Sequence, residues 1–165
     1  MIPTTCAAPG AARFLSPSPS PLPEVSAEAW QRFCTALEVQ KPGAISPSGG
    51  YGAYDLRPAR LVELGYAERG PQVRRGARFV QTCTFLPPWT EEKFLGSYLA
   101  QLAALRQSMK RYGEDLARGK IERPQGMSLA GALSILHRGG RGALKGWPEI
   151  FSDTRQLYEQ AKGMF

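Results

Sequence analysis

From Ser26 onward the apolar residues fall at helical spacing. Trp30, Phe33, Cys34 and Leu37 recur at steps of three and four, the stripe of an amphipathic helix, and Ser26 is placed to accept a free backbone amide at its start. Pro42 and Gly43 stop this helix, with Glu38 on its last turn. Between Ser46 and Gly52 the glycines at 49, 50 and 52 predict a tightly turned loop or a small hairpin. Pro58 at a first helical position and Gly65 just past an end bracket a short helix carrying Leu61, Val62 and Leu64. Residues Phe79 to Phe85 are rich in β-branched and aromatic side chains and predict one short strand, ended by Pro87 and Pro88. Thr90 then caps the longest predicted helix, along which Phe94, Tyr98, Leu102, Leu105, Met109, Tyr112 and Leu116 share one face. That face reads as core. Ser128 caps a further helix through His137, closed by Gly139, Gly140 and Gly142, and Ser152 or Asp153 caps a last one running to Lys162. The sum is a mainly α chain with at most a small β element.

Length and composition sharpen this into one domain with a tail. The chain has 165 residues, 42% of them hydrophobic, enough for one substantial core. Residues 1 to 25 are dense in Pro and Ser and offer little to bury, so they read as an extended arm, and residues 26 to 165 as the folded domain. No internal repeat suggests a solenoid. No apolar run approaches the roughly 18 to 20 residues of a spanning helix, and the N-terminus lacks the basic start and apolar stretch of a secretory signal. Cys6, Cys34 and Cys83 form an odd set without CxxC spacing, and His137 is the only histidine, so neither a metal site nor a cofactor is expected. Cys34 and Cys83 read as buried thiols. The formal charge is +7, which favours polyanionic partners without choosing among them. Arg74, Arg75 and Arg78 form one basic group and Arg138, Arg141 and Lys145 another. Neither is the long basic block of a nucleic-acid tail, so a nucleic-acid partner ranks last.

Candidate chemistry centres on Glu38. A carboxyl at the end of an apolar helix, beside a close-packed loop, can be partly desolvated and brought toward the range of a general acid. Such an acid suits cleavage of a glycosidic bond, where the leaving oxygen must be protonated. Asp55, further along the same stretch, is either a second carboxylate able to position water or a residue bonding loop amides. His137 is either a donor that titrates near neutrality or a helix-end histidine favoured by the C-terminal dipole. Tyr51, Tyr54 and Trp147 offer flat faces of the kind that stack on sugars, with core packing the stronger reading for Trp147.

Two segments resemble the soluble lytic transglycosylase and goose-type lysozyme superfamily. In that superfamily the catalytic Glu ends a helix and is followed by Ala-Val-Ser, a glycine stretch, Gly-Leu-Met-Gln and a Pro at a helix start. Here Glu38 is followed by Ala44, Ile45, Ser46 and Pro47, then Gly49, then Gly52, Ala53, Tyr54 and Asp55, then Pro58, with one residue fewer between Glu38 and Ala44. A second family helix, Ala-Leu-Ala-Ala-Tyr-Asn-Ala-Gly, is similar to the run holding Ala132, Leu133, His137 and Gly139. The resemblance spans Ser26 to Trp147 and leaves the arm aside. Val39 stands where the family has Ser, Asp55 where it has Gln, Leu136 where it has Tyr and His137 where it has Asn. These departures fall where substrate or the acid is oriented.

The resemblance implies a lysozyme-like fold and a peptidoglycan glycan strand as substrate. Glu38 is the implied acid, with Tyr51, Tyr54 and His137 as sugar-binding candidates. In lytic transglycosylases the acid's conjugate base then activates the sugar's own 6-hydroxyl. Asp55 raises the alternative of an inverting hydrolase, which needs the two carboxyl groups about 6.5 to 9.5 Å apart. Without an export signal, the expectation is a protein carried in the tail or baseplate of a phage virion and acting in the host cell envelope. Its arm would then contact other virion proteins. The competing expectation is a non-catalytic virion protein that keeps the lysozyme-like domain as a scaffold.

Overall fold

A computed structural model of the chain describes residues 19 to 165. Ser26 accepts a hydrogen bond from the Ala29 amide and opens α1, Ala27–Leu37, which buries Trp30, Phe33, Cys34 and Leu37. Glu38 is the residue that ends it, its N–H returning to the Thr35 carbonyl. Pro58 starts α2, Pro58–Glu63, and Gly65 follows with a positive φ of 82°. Strands β1, Ala67–Arg75, and β2, Arg78–Phe85, pair as an antiparallel hairpin. The sequence predicted only β2. In β1 the register is broken between Arg69 and Gln72, where Gly70 and Pro71 interrupt the alternation. Proline has no amide for the ladder and is tolerated at such a bulge.

The long helix predicted from Thr90 is two helices. Thr90 caps only α3, Glu91–Leu95, and Ser97 caps the separate α4, Tyr98–Ala117. Gln101 explains the break: its buried side-chain amide donates to the Phe94 and Leu95 carbonyls, at 3.0 and 3.3 Å, taking up groups that would otherwise continue the helix. Beyond the break the buried face of α4 includes Leu105, Met109 and Tyr112, together with the polar Gln101, Ser108 and Asp115. Leu102 and Leu116, assigned by spacing to the buried stripe, are half-buried at its edge.

Ser128 caps α5, Leu129–Gly139, which is buried without interruption from Ala130 to Leu136. A helix apolar on every side belongs at the centre of the core, and α5 packs against α4, against α6 (Ser152–Ala161) and against the short 3₁₀ turn Ala143–Gly146. No side chain caps α6, whose preceding residue is Phe151; Asp153 instead accepts from the next amide, Thr154, at 2.7 Å. Phe165 closes the chain against Phe33, ring centroids 5.0 Å apart. Trp147 packs on Tyr158 at 4.7 Å, the packing role favoured from sequence.

The boundary of the N-terminal arm moves. Leu22 and Val25 are buried in the core, and Arg106 donates to the Pro19 carbonyl, so the segment from residue 19 belongs to the domain. The rest of the predicted arm, residues 1 to 18 with Cys6, lies outside the described residues. Cys34 and Cys83 are free thiols, Cys34 fully buried and pushed well above the usual thiol range, chiefly by burial. No described helix is long and apolar enough to cross a membrane. The structure is therefore mainly helical with one small antiparallel sheet.

Candidate active site

The loop after α1 is held by two glutamine side chains. Gln40 donates to the Gly52 carbonyl at 2.8 Å and the Gly50 carbonyl at 3.3 Å. From the other side Gln101 accepts from the Ala53 amide at 2.9 Å and donates to the Pro42 carbonyl at 2.9 Å. Gln101 is fully buried, so these bonds satisfy loop groups that water does not reach. Bridges from Tyr51 to Ile45 and to Leu56 fold the loop back on itself. Glycine is required at two places: Gly52 has φ 72° and leaves no space for a Cβ beside the Gln101 amide, and a Cβ on Gly50 would overlap the Asp55 carboxylate.

This loop, the end of α1, the end of α5 and one face of α6 enclose a groove of about 450 Å³, lined among others by Glu38, Val39, Tyr54, Asp55, His137 and Arg138. Glu38 is half-buried at its wall. The Tyr98 hydroxyl donates to Glu38 Oε1, the Tyr54 hydroxyl reaches the same oxygen at 3.4 Å, and the two tyrosine oxygens are 2.7 Å apart. The three groups form a chain that fixes the carboxylate's rotamer. The Tyr98 phenol is pushed up to about 12, first by burial and then by donating to Glu38, so it stays a protonated donor at neutral pH. By sequence spacing alone Tyr98 belongs to a core stripe. The available signal was a tyrosine among apolar neighbours, whose hydroxyl must find a partner when buried.

Of the predicted site residues, Glu38, Tyr54, Asp55 and His137 meet in this groove. Tyr51 does not. It is 6% exposed and packs edge-on against Phe85 at 5.4 Å, because the bridges to Ile45 and Leu56 turn it toward the hairpin. Tyr54 is also unavailable for stacking: its ring is fully buried, and it serves the groove only through its hydroxyl.

Asp55 is corrected as well. It has a positive φ of 50°, a conformation Asp tolerates better than most residues. Its carboxylate is 3% exposed and pairs with Arg138 and with Arg57 Nη2, the latter at 3.4 Å. Arg138 also holds Asp153, through Nε at 3.1 Å and Nη2 at 2.6 Å. Although burial acts the other way, these bonds keep Asp153 below the usual carboxylate range. The resulting chain of charges ties the loop to α5 and α6. A carboxylate committed to two guanidiniums is poorly placed to act as a base toward water.

His137 does not titrate near neutrality. Its Nε2 donates to the Tyr54 carbonyl at 2.7 Å, and Nδ1 is enclosed without a partner. Burial, with smaller contributions from Arg60 and Arg57, outweighs that hydrogen bond and lowers its pKa to about 4. The ring is neutral at pH 7 and fastens α5 to the loop.

Compared with known proteins, the chain matches no family model, no curated protein and no solved structure.

Proposed function

We propose that this protein cleaves the glycan strands of peptidoglycan with Glu38 as the acid, as a lytic transglycosylase or lysozyme carried in a phage tail or baseplate. The observation that carries the reading is the Glu38 carboxylate, held by the Tyr98 and Tyr54 hydroxyls in a polar groove at the end of an apolar helix. The groove's size lies in the range of small-ligand sites. Protonated Glu38 donates to the oxygen linking N-acetylmuramic acid to N-acetylglucosamine. The bond from muramic C1 to that oxygen breaks, and the glucosamine leaves as an alcohol. The Glu38 carboxylate then accepts the proton of the muramic 6-hydroxyl while that oxygen bonds to C1. The acid is restored and a 1,6-anhydro sugar results. The ion pairs of Asp55 favour this route over an inverting one, which needs a second carboxylate free to activate water.

One feature favours the second reading, a non-catalytic virion scaffold. Val39, beside the acid, presents an apolar side chain that is 51% exposed, where a polar group would orient substrate. Muropeptide release by the parent protein and by Glu38→Gln separates the two readings. The enzymatic one expects 1,6-anhydro products from the parent and a loss of about a thousandfold or more in the variant, the scale of removing an essential proton donor. Equal, null release from both leaves the scaffold.

A further inference from the structure

Next to the Glu38 groove, and sharing His137, Arg138 and Asp153 with it, lies a second cavity of about 870 Å³. Arg57, Arg60, Arg78, Arg138 and Arg141 line it, against the two carboxylates Glu63 and Asp153. Asp55 and Asp115 pair with three of these arginines from outside the lining, which still leaves one guanidinium in excess. Arg78 has no ion-pair partner among the described residues and is exposed.

Two buried donors on residues that line this cavity have no hydrogen-bond partner among the described residues. Arg57 donates through Nη1 to the Ser48 carbonyl at 3.1 Å, yet its Nε is buried with no partner. The Tyr112 hydroxyl is likewise buried and unpartnered, on a side chain that is fully enclosed, and the Arg60 guanidinium lies 4.1 Å from the centre of the same ring. Unsatisfied buried donors are costly. The guanidiniums clustered on this one cavity fit an oxyanion, which arginine binds through paired N–H groups. Phe151, 85% exposed at the rim, adds an apolar surface for an aliphatic portion of the same ligand.

We propose that this cavity receives the carboxylates of the short acidic peptide borne by the glycan strand whose backbone occupies the Glu38 groove. The proposal rests on the reading of that groove as a glycan site and adds recognition of the peptide. A peptide is favoured because its charges are planar carboxylates on an aliphatic chain, which match the guanidiniums and Phe151 together. The ligand then bridges the two cavities across Arg138.

The test uses the full chain carrying Glu38→Gln, so that strands are bound but not cut, and a second form that also carries Arg78→Ala and Arg141→Ala. Both arginines are exposed, and a melting curve verifies that the second form folds. The probes are glycan strands with intact peptides, the same strands stripped of peptide by an amidase, the free acidic peptide, and inorganic phosphate. Intact strands should bind about tenfold or more tighter than stripped ones, the scale of one charge-assisted hydrogen bond. The arginine variant should erase that difference and leave the affinity for stripped strands unchanged. Equal affinity for intact and stripped strands, or a difference that survives the arginine substitutions, overturns the proposal. Phosphate binding more tightly than the free peptide, and lost in the variant, overturns the carboxylate assignment in favour of a phosphorylated polymer. If neither glycan sample binds while the free peptide still does so through these arginines, the glycan reading of the groove fails and the peptide site stands.

Discussion

His137 offers a direct measurement, because it is the chain's only histidine. Its Nε2 donates to the Tyr54 carbonyl, its Nδ1 is enclosed, and its pKa falls from 6.5 to about 4, mainly by burial. An unfolded chain takes up a proton on this ring below about pH 6.5, whereas the folded chain does so only near 4. Between those values the unfolded state binds more protons, so the stability present above pH 6.5 is lost progressively as the pH falls to about 4. At about 1.4 kcal/mol per pH unit, the loss is about 3 kcal/mol, or about 6 to 12 °C in Tm for a chain of this size. A single imidazole carbon-bound proton followed by NMR titration reads the pKa directly. Urea unfolding at several pH values reads the energy. His137→Gln keeps an N–H donor for Tyr54 and removes the titration, so its stability should vary less between pH 4 and 6.5 than the parent's, with carboxylate effects common to both. An imidazole midpoint near 6.5, or identical pH profiles for parent and variant, would refute the reasoning.

Three further outcomes test the architecture around the groove. Gln101→Leu leaves the Ala53 amide and the Pro42 carbonyl without their partner; it should cost about 3 kcal/mol and loosen the loop, seen as faster amide exchange at Ala53. Asp55→Asn removes the charge facing Arg57 and Arg138 while tolerating the positive φ. Because both arginines are partly exposed, the loss should be about 2 to 4 kcal/mol, below that of a fully buried pair, and chemical denaturation measures it. Deletion through residue 25 removes Leu22 and Val25 from the core and should cost about 3 to 5 kcal/mol, read by chemical denaturation.

Helix starts were legible in the sequence because their signals are local. Ser26 and Ser128 cap α1 and α5 with side-chain oxygens that reach amides three residues on. Pro58 sets α2 by its fixed φ. The core face of α1 was equally readable, since a stripe of large apolar residues has one favourable direction to face. Four residues singled out in the sequence, Glu38, Tyr54, Asp55 and His137, line one groove.

Tertiary structure alone decided what those residues do there. Gln101 splits the long helix by capturing carbonyls while binding a loop some 50 residues away in sequence, and an apolar stripe carries no sign of a buried polar residue within it. The pairing of β1 with β2 overrides a segment whose Gly70 and Pro71 disfavour a strand, because cross-strand bonds depend on a partner that local propensity does not include. Tyr51 and Tyr54, three residues apart, differ in the same way: bridge geometry turns the first toward Phe85, and the second places its hydroxyl at Glu38. Asp55 and His137 look like catalytic groups in a linear reading because their residue types suit that chemistry. Asp55 is held in ion pairs with Arg57 and Arg138, and burial, with smaller contributions from Arg60 and Arg57, keeps the His137 ring neutral, all by groups brought from separate elements. Local capping and periodicity determined where helices begin and which faces they bury; long-range hydrogen bonds, ion pairs and burial decided how Glu38, Asp55 and His137 are held at the groove.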